Sequence, residues 1–123
     1  MKSGLTGLAR LWQATFNSLN GIRDAFKHEA AFRQDVALCI VLLVLSFWLA
    51  QTLLEWLVLI IPLFMLIMVE LLNSAIENTV DRIGEEEHVL SGRAKDIASA
   101  AIFFALVLIA VVWLSMTWSR FFA

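Results

Sequence analysis

Five polar residues recur at helical spacing directly after a long apolar part of the 123-residue chain. Glu70, Asn73, Ser74, Glu77 and Asp81 stand at i, i+3, i+4, i+7 and i+11, so a helix would place them on one face. Carboxylates at such spacings repel one another unless a cation lies between them. The pattern therefore predicts a metal ion or a basic partner beside Glu77 and Asp81.

Further candidates lie at the borders of other apolar stretches. Lys95 and Asp96 precede one such stretch, and Glu29 closes the polar segment before another. Phosphoryl transfer needs acids to hold Mg²⁺, a cation to neutralise phosphate oxygens and a carboxylate to accept the hydroxyl proton. The sequence contains all of these, which indicates a site of the kinase type. For the outermost acids, Asp81 among them, a solvated helix face is the alternative.

Three apolar stretches must position these residues. Residues 36–54, 56–69 and 97–119 carry no charged side chain, and 61% of the chain is hydrophobic. A helix needs about 20 apolar residues to cross the core of a bilayer. The pattern predicts a single all-α membrane domain, 1–123. Its predicted transmembrane helices are 30–50, 53–83 with a cytoplasmic extension, and 91–119.

The N-terminal segment is amphipathic. Between residues 5 and 28, apolar residues recur at spacings of three and four, and polar residues occupy the other face. This pattern is typical of a helix that lies flat in the membrane interface. Asn20-Gly21 is a candidate break within it.

Basic residues predict the orientation in the membrane. All of them except Arg120 lie before or at the start of the first predicted transmembrane helix, or around the loop between the second and third. Positive charge stays on the cytoplasmic side, so the N-terminus and this loop are predicted to be cytoplasmic. Trp48, Trp56, Trp113 and Trp118 then fall at the opposite interface, as an aromatic belt does. A net charge of −2 gives no argument for a nucleic-acid partner.

Four sequence blocks are distributed along the chain. They are Glu29-Ala30-Ala31-Phe32-Arg33-Gln34, Val69-Glu70-x-x-Asn73-Ser74-Ala75-Ile76-Glu77, Val80-Asp81-Arg82-Ile83-Gly84 and Leu90-Ser91-Gly92-Arg93-Ala94-Lys95-Asp96. In order and spacing these blocks resemble the prokaryotic diacylglycerol kinase family, and the resemblance covers nearly the whole chain. The resemblance implies an ATP- and Mg²⁺-dependent kinase that phosphorylates diacylglycerol to phosphatidic acid at the bacterial inner membrane. It also implies a homotrimer whose active sites are shared between neighbouring subunits.

The resemblance further implies roles for individual residues. Glu70 corresponds to the general base on the lipid hydroxyl, with the catalytic Asn73 beside it, and Glu29 and Glu77 correspond to the metal carboxylates. The implied contacts of ATP are Arg10, Asn17, Glu29, Glu77, Glu86, Glu87, His88, Lys95 and Asp96. The implied contacts of the lipid substrate are Arg10, Ala14, Thr15, Phe16, Ser18, Leu19, Arg23, Asp24, Ala25, Phe26, Ala31, Phe32, Arg33, Gln34, Trp48, Leu49, Trp56, Glu70, Ser99, Trp113 and Trp118.

Two other functions are compatible with the sequence. An undecaprenol kinase would share this architecture and use a different lipid alcohol, although the pattern of Trp48, Trp113 and Trp118 resembles the diacylglycerol branch. A small oligomeric, proton-coupled transporter would explain a buried acid at Glu70. It would leave the amide at Asn73 unexplained, and its site would lie nearer the bilayer midplane.

Overall fold

The computed structural model describes residues 6–84 and 88–123, which form four helices. They are α1 (Gly7–His28), α2 (Ala30–Leu49), α3 (Leu53–Ile83) and α4 (Val89–Phe121). The predicted all-α fold class is confirmed. Helices α2, α3 and α4 are each long and apolar enough to cross a membrane.

Helix α1 runs without interruption through Asn20-Gly21, so the candidate break there was wrong. A glycine inside a helix costs only about 1 kcal/mol, which the neighbouring turns tolerate. Helical geometry is lost instead at Glu29, with φ −114° and ψ 106°. The last carbonyl groups of a helix have no partner within it. Here the guanidinium of Arg33 donates to those of Phe26 at 2.7 Å and Lys27 at 3.2 Å. This joint ties α1 to the first turn of α2.

A short turn makes α2 and α3 antiparallel neighbours. The hydroxyl of Thr52 accepts a hydrogen bond from the backbone N–H of Glu55 at 3.1 Å, and the Glu55 carboxylate accepts one from that of Gln51 at 3.2 Å. Both bonds cap the start of α3. Beside the turn, the indole N–H of Trp56 donates to the Ser46 hydroxyl at 3.0 Å and joins the two helices. Residues of α2 and α3 that are equally far from the turn along the chain therefore lie side by side.

The core between the long helices is small and apolar. Cys39 of α2 packs against it, with its Sγ 3.6 Å from the carbonyl oxygen of Leu63. The indole N–H of Trp113 in α4 donates to the carbonyl oxygen of Leu59 in α3 at 3.1 Å. A small residue such as Ala105 lets α3 and α4 approach closely. The buried members of the core are Leu63, Leu66, Ala105 and Ile109.

Large apolar side chains cover the outer surface of the long helices. Phe64, Phe103 and Phe104 are 65%, 63% and 69% exposed. Exposing such area to water is unfavourable by about 25 cal/mol per Å², whereas lipid tails or a second protein surface would cover it without that penalty. The outer surface thus suits a membrane environment. The predicted homotrimer stays a prediction.

Candidate active site

The part of the polar face of α3 nearest its apolar half is buried. Glu70, Asn73 and Ser74 are only 2%, 7% and 6% exposed, although they directly follow the apolar half of the helix. Burying polar groups is unfavourable unless they have partners or a functional ligand. This part of the polar face is therefore an interior surface of the protein.

Asp35 of α2 faces Glu70 of α3. Their carboxyl groups lie within hydrogen-bonding reach of each other. Glu77 and Glu29 add negative charge close to Glu70. Carboxyl groups of α2, α3 and the α1–α2 joint thus lie near enough to Glu70 to act on it electrostatically. Their mutual repulsion makes the cluster a site for a proton or a cation.

Two buried oxygen atoms of this cluster have no hydrogen-bond partner among the described residues, Oε2 of Glu70 and Oδ1 of Asn73. The amide nitrogen of Asn73 donates to Oε1 of Glu77 at 3.2 Å, which fixes the orientation of the amide. A buried acceptor without a donor destabilises a fold by about 1–3 kcal/mol. A hydroxyl group or a cation supplied by a bound molecule would remove that penalty. The two unpartnered oxygen atoms therefore make the cluster a candidate binding site for such a molecule.

A cleft of about 580 Å³ opens beside the cluster, between α1 and α3. Glu29 and Ser74 line it, so the cleft leads to the carboxylates. Its volume suits a small ligand. The polar residues of its wall are Ser18, Asp24, His28, Glu29, Ser74 and Asn78.

Lys95 of α4 pairs with Asp81 at the outer end of the polar face. The Nζ atom of Lys95 lies 2.7 Å from Oδ1 of Asp81, and the two side chains are 43% and 64% exposed. Glu77 also attracts the ammonium group. The basic partner that the sequence predicted as one alternative for these acids is therefore supplied by α4 of the same chain.

The donor set fits Mg²⁺ only with ligands from outside the protein. Within residues 6–84 and 88–123, no three His, Cys, Asp or Glu side chains are grouped closely enough to hold a metal ion. Mg²⁺ is usually bound by one or two carboxylates, and water and substrate phosphates complete its shell. Glu29, Glu77 and the unpartnered oxygen of Asn73 are hard oxygen donors of this kind. Their assignment as metal ligands stays a prediction.

The other predicted ATP contacts lie mostly on exposed positions. Arg10 and Asn17 stand on the exposed surface of α1, and Asp96 is exposed on α4. The ring of His88 accepts a hydrogen bond from the backbone N–H of Leu90 at 3.0 Å and caps α4. Outside the described residues lie Glu86 and Glu87.

Apart from Glu70 in α3 and Ser99 in the first third of α4, the predicted lipid contacts separate into two groups. One group lies on α1 and around the α1–α2 joint, where Phe32 is buried and Arg33 is held by the end of α1. The other group lies near the α2–α3 turn and the end of α4, where Trp48 packs on Phe121. Glu70 lies 14 residues after Trp56 along α3 (70 − 56), which is a rise of about 20 Å. A small headgroup cannot touch both groups of one chain.

Comparison with known proteins identifies the family of this chain. The model of the family described as prokaryotic diacylglycerol kinase matches residues 16–117, which include the whole carboxylate cluster. The chain belongs to the prokaryotic diacylglycerol kinase family. The resemblance seen in the sequence is thereby confirmed, and so is the prediction of a kinase. The transporter alternative finds no support.

Several diacylglycerol kinases are similar to this family member over most of their length. The protein of Haemophilus influenzae is 47% identical over 108 residues, which are 88% of this chain and 92% of that protein. That of Escherichia coli K12 is 41% identical over 121 residues, or 98% and 99% of the two chains. That of Pseudomonas aeruginosa is 50% identical over 110 residues, or 89% of each chain.

Sequence reasoning about this kinase missed Asp35. Asp35 lies 14 residues before the end of α2 (49 − 35), and Glu70 lies 17 residues after the start of α3 (70 − 53). Both acids border charge-free stretches on either side of a short turn. Antiparallel packing brings such residues to similar levels, so the pairing was detectable in principle.

Proposed function

We propose that this kinase transfers the γ-phosphoryl group of ATP to the hydroxyl group of diacylglycerol and forms phosphatidic acid, which recycles diacylglycerol in phospholipid metabolism. The names of its relatives support this substrate. The observation that carries the proposal is Glu70, a buried carboxyl group with an unpartnered oxygen where α3 changes from apolar to polar. A lipid alcohol and a water-soluble nucleotide can react only at such a boundary.

In this proposal the residues of the site have separate roles. Oε2 of Glu70 accepts the proton of the lipid hydroxyl while its oxygen attacks the γ-phosphorus, and Asn73 holds the reacting groups beside it. Glu29 and Glu77 would hold Mg²⁺, which when bound neutralises charge on the phosphate oxygens. Lys95, with Asp96 beside it, contacts the phosphates. Most of the rate enhancement would then come from positioning and charge neutralisation.

The same proposal includes an assembly and an orientation. A homotrimer would cover part of the exposed apolar surface formed by residues such as Phe64 and Phe103. The basic residues around the α3–α4 loop favour a cytoplasmic position for that loop and the N-terminus, in the inner membrane. A lipid whose hydroxyl group lies at Glu70 would extend its tails toward the Trp residues near the α2–α3 turn.

The ion pair of Lys95 leads to a prediction about nucleotide binding. Asp81 competes with the ATP phosphates for the ammonium group, and an exposed ion pair of this kind is weak. Asp81→Asn should therefore lower the KM for MgATP by at most about fivefold. Steady-state kinetics at saturating lipid measure the change.

Lys95→Met is the matched comparison, because it removes the other partner of the same ion pair. It should raise the KM for MgATP by about tenfold or more, since a charge-assisted bond to phosphate is lost. Equal KM increases in both variants would contradict competition by Asp81 and would indicate that Asp81 orients Lys95.

A lipid-competition assay tests the proposed reaction directly. The purified protein in mixed micelles should transfer ³²P from ATP to diacylglycerol in the presence of Mg²⁺. Undecaprenol in place of diacylglycerol should give at least about tenfold lower kcat/KM, which corresponds to about 1.4 kcal/mol of discrimination. Preferential labelling of undecaprenol would replace the proposed substrate, and labelling of neither lipid would refute the proposed reaction.

A further inference from the structure

The joint between α1 and α2 consists of one non-helical residue, Glu29. Its backbone N–H donates to the carbonyl of Ala25 at 2.8 Å, and its carbonyl accepts from the backbone N–H of Arg33 at 3.2 Å. Glu29 therefore belongs to the end of one helix and to the start of the next. It also lines the cleft together with Ser74, so the joint itself carries a proposed metal ligand.

Little packing fixes the direction of α1. Ala25 is its single buried residue within the described chain. The membrane interface would keep such an amphipathic helix flat, which fixes its depth but not its direction in the membrane plane. Ser18 lies 11 residues before Glu29 (29 − 18), or about 16 Å along α1, so a rotation of about 10° at the joint would move it by about 3 Å. Because Ser18 lines the cleft, the width of the cleft depends on the joint.

The guanidinium of Arg33 bridges this joint. Its Nη1 donates to the carbonyls of Phe26 at 2.7 Å and Lys27 at 3.2 Å, and it has two N–H groups for the purpose. Hydrogen bonds from a charged donor are about twice as strong as neutral ones, and a cation is also favoured at the C-terminal end of a helix. These two bonds, here called the Arg33 clamp, join the last turn of α1 to the first turn of α2. They therefore oppose rotation at Glu29, which lies between the two turns.

We propose that Arg33 is a positioning residue for phosphoryl transfer, because its clamp on the end of α1 holds Glu29 at the cleft and sets the width of the cleft between α1 and α3. The inference rests on the proposed function, in which Glu29 holds Mg²⁺. It replaces the lipid contact that the sequence resemblance implied for Arg33. In this role Arg33 acts through Glu29 and α1 and touches neither substrate.

Two substitutions at this position test the clamp through kinetics. Arg33→Met removes the donors and should lower kcat about five- to tenfold, since a displacement of about 1 Å costs up to about 100-fold. The Mg²⁺ concentration for half-maximal activity should rise about three- to fivefold, while the KM for diacylglycerol changes less than about twofold. Arg33→Lys keeps a charged donor that can bond to helix carbonyls, so both parameters should stay within about threefold of the wild type.

A double-mutant cycle separates the positioning of Glu29 from a general loss of structure. Glu29→Gln alone should raise the Mg²⁺ requirement, and adding Arg33→Met should raise it by less than about twofold more, because the clamp then holds no metal ligand. Fully independent effects would overturn the inference. Equal losses in Arg33→Met and Arg33→Lys would do the same. A raised KM for diacylglycerol at an unchanged Mg²⁺ requirement would restore the lipid contact instead.

Hydrogen exchange of the substrate-free protein in detergent tests the clamp without activity. In Arg33→Met, the amides of the last turn of α1 and of Glu29 should exchange about tenfold faster, since charged hydrogen bonds no longer oppose local opening. Protection of α3 should stay unchanged, which shows that the variant is folded. Loss of protection in α3 as well would assign Arg33 to the stability of the whole fold and overturn the inference.

Lys27→Gln is the matched control for this experiment. It removes an exposed positive charge in the same last turn of α1 and keeps the backbone carbonyl that Arg33 contacts. Its exchange and kinetics should equal those of the wild type. Unchanged exchange in Arg33→Met would refute the clamp even where the wild type phosphorylates diacylglycerol. Faster exchange in Arg33→Met, with a wild type that phosphorylates no lipid, would instead refute the proposed function.

Discussion

Glu70→Gln is expected to lower kcat for lipid phosphorylation by about 100-fold or more, since a positioned general base typically contributes about 10²–10⁴. The amide has nearly the shape of the carboxyl group but cannot accept the hydroxyl proton at Oε2, the buried and unpartnered atom. The KM for MgATP should stay close to its wild-type value, because Glu70 acts on the lipid alcohol. Transfer of ³²P in mixed micelles measures both parameters.

Folding must be separated from chemistry in this experiment. Glu70→Gln removes one of several converging negative charges, so the protein should remain at least as stable as the wild type. The variant should therefore elute from size exclusion in detergent at the same position as the wild type and as Glu55→Gln, a control at a carboxylate beside the α2–α3 turn. Wild-type turnover in Glu70→Gln would rule out Glu70 as the base.

Glu77→Gln is expected to have the second largest effect, on the requirement for Mg²⁺. Glu77 lies near Glu70, and its Oε1 accepts a hydrogen bond from the amide of Asn73 at 3.2 Å. A carboxylate ligand supplies charge that an amide lacks, and with only one or two protein carboxylates each contributes strongly. The Mg²⁺ concentration for half-maximal activity should rise by about tenfold or more, together with a lower kcat/KM for ATP. A Mg²⁺ titration at fixed free ATP measures it.

Thr79→Ala is a suitable control for Glu77, because Thr79 lies two residues further along α3, is exposed, and donates its hydroxyl to the carbonyl of Ala75 in its own helix. It should show the wild-type Mg²⁺ dependence. An unchanged Mg²⁺ dependence in Glu77→Gln, at reduced turnover, would assign Glu77 to orienting Asn73 instead of holding the metal.

Much of this protein follows from local properties of its sequence. The three long apolar stretches and the amphipathic N-terminal segment specify helices, because helical hydrogen bonds and side-chain periodicity depend on residues three or four apart. Helical periodicity also accounts for the polar face of α3. The spacing of Glu70, Asn73 and Glu77 is enough to place them on one side of the helix. The class of reaction could be inferred from that face and from the family blocks around it.

The tertiary structure decided which groups from different helices meet. Asp35 joins Glu70, Lys95 joins Asp81, and the Arg33 guanidinium caps α1, which the pattern within any single helix does not specify. Such contacts depend on the rotation and level of one helix against another, and these are set by interhelical packing such as that of Leu63 and its core neighbours. Helices therefore follow from the sequence locally, whereas the carboxyl cluster exists only once α1, α2 and α3 have packed.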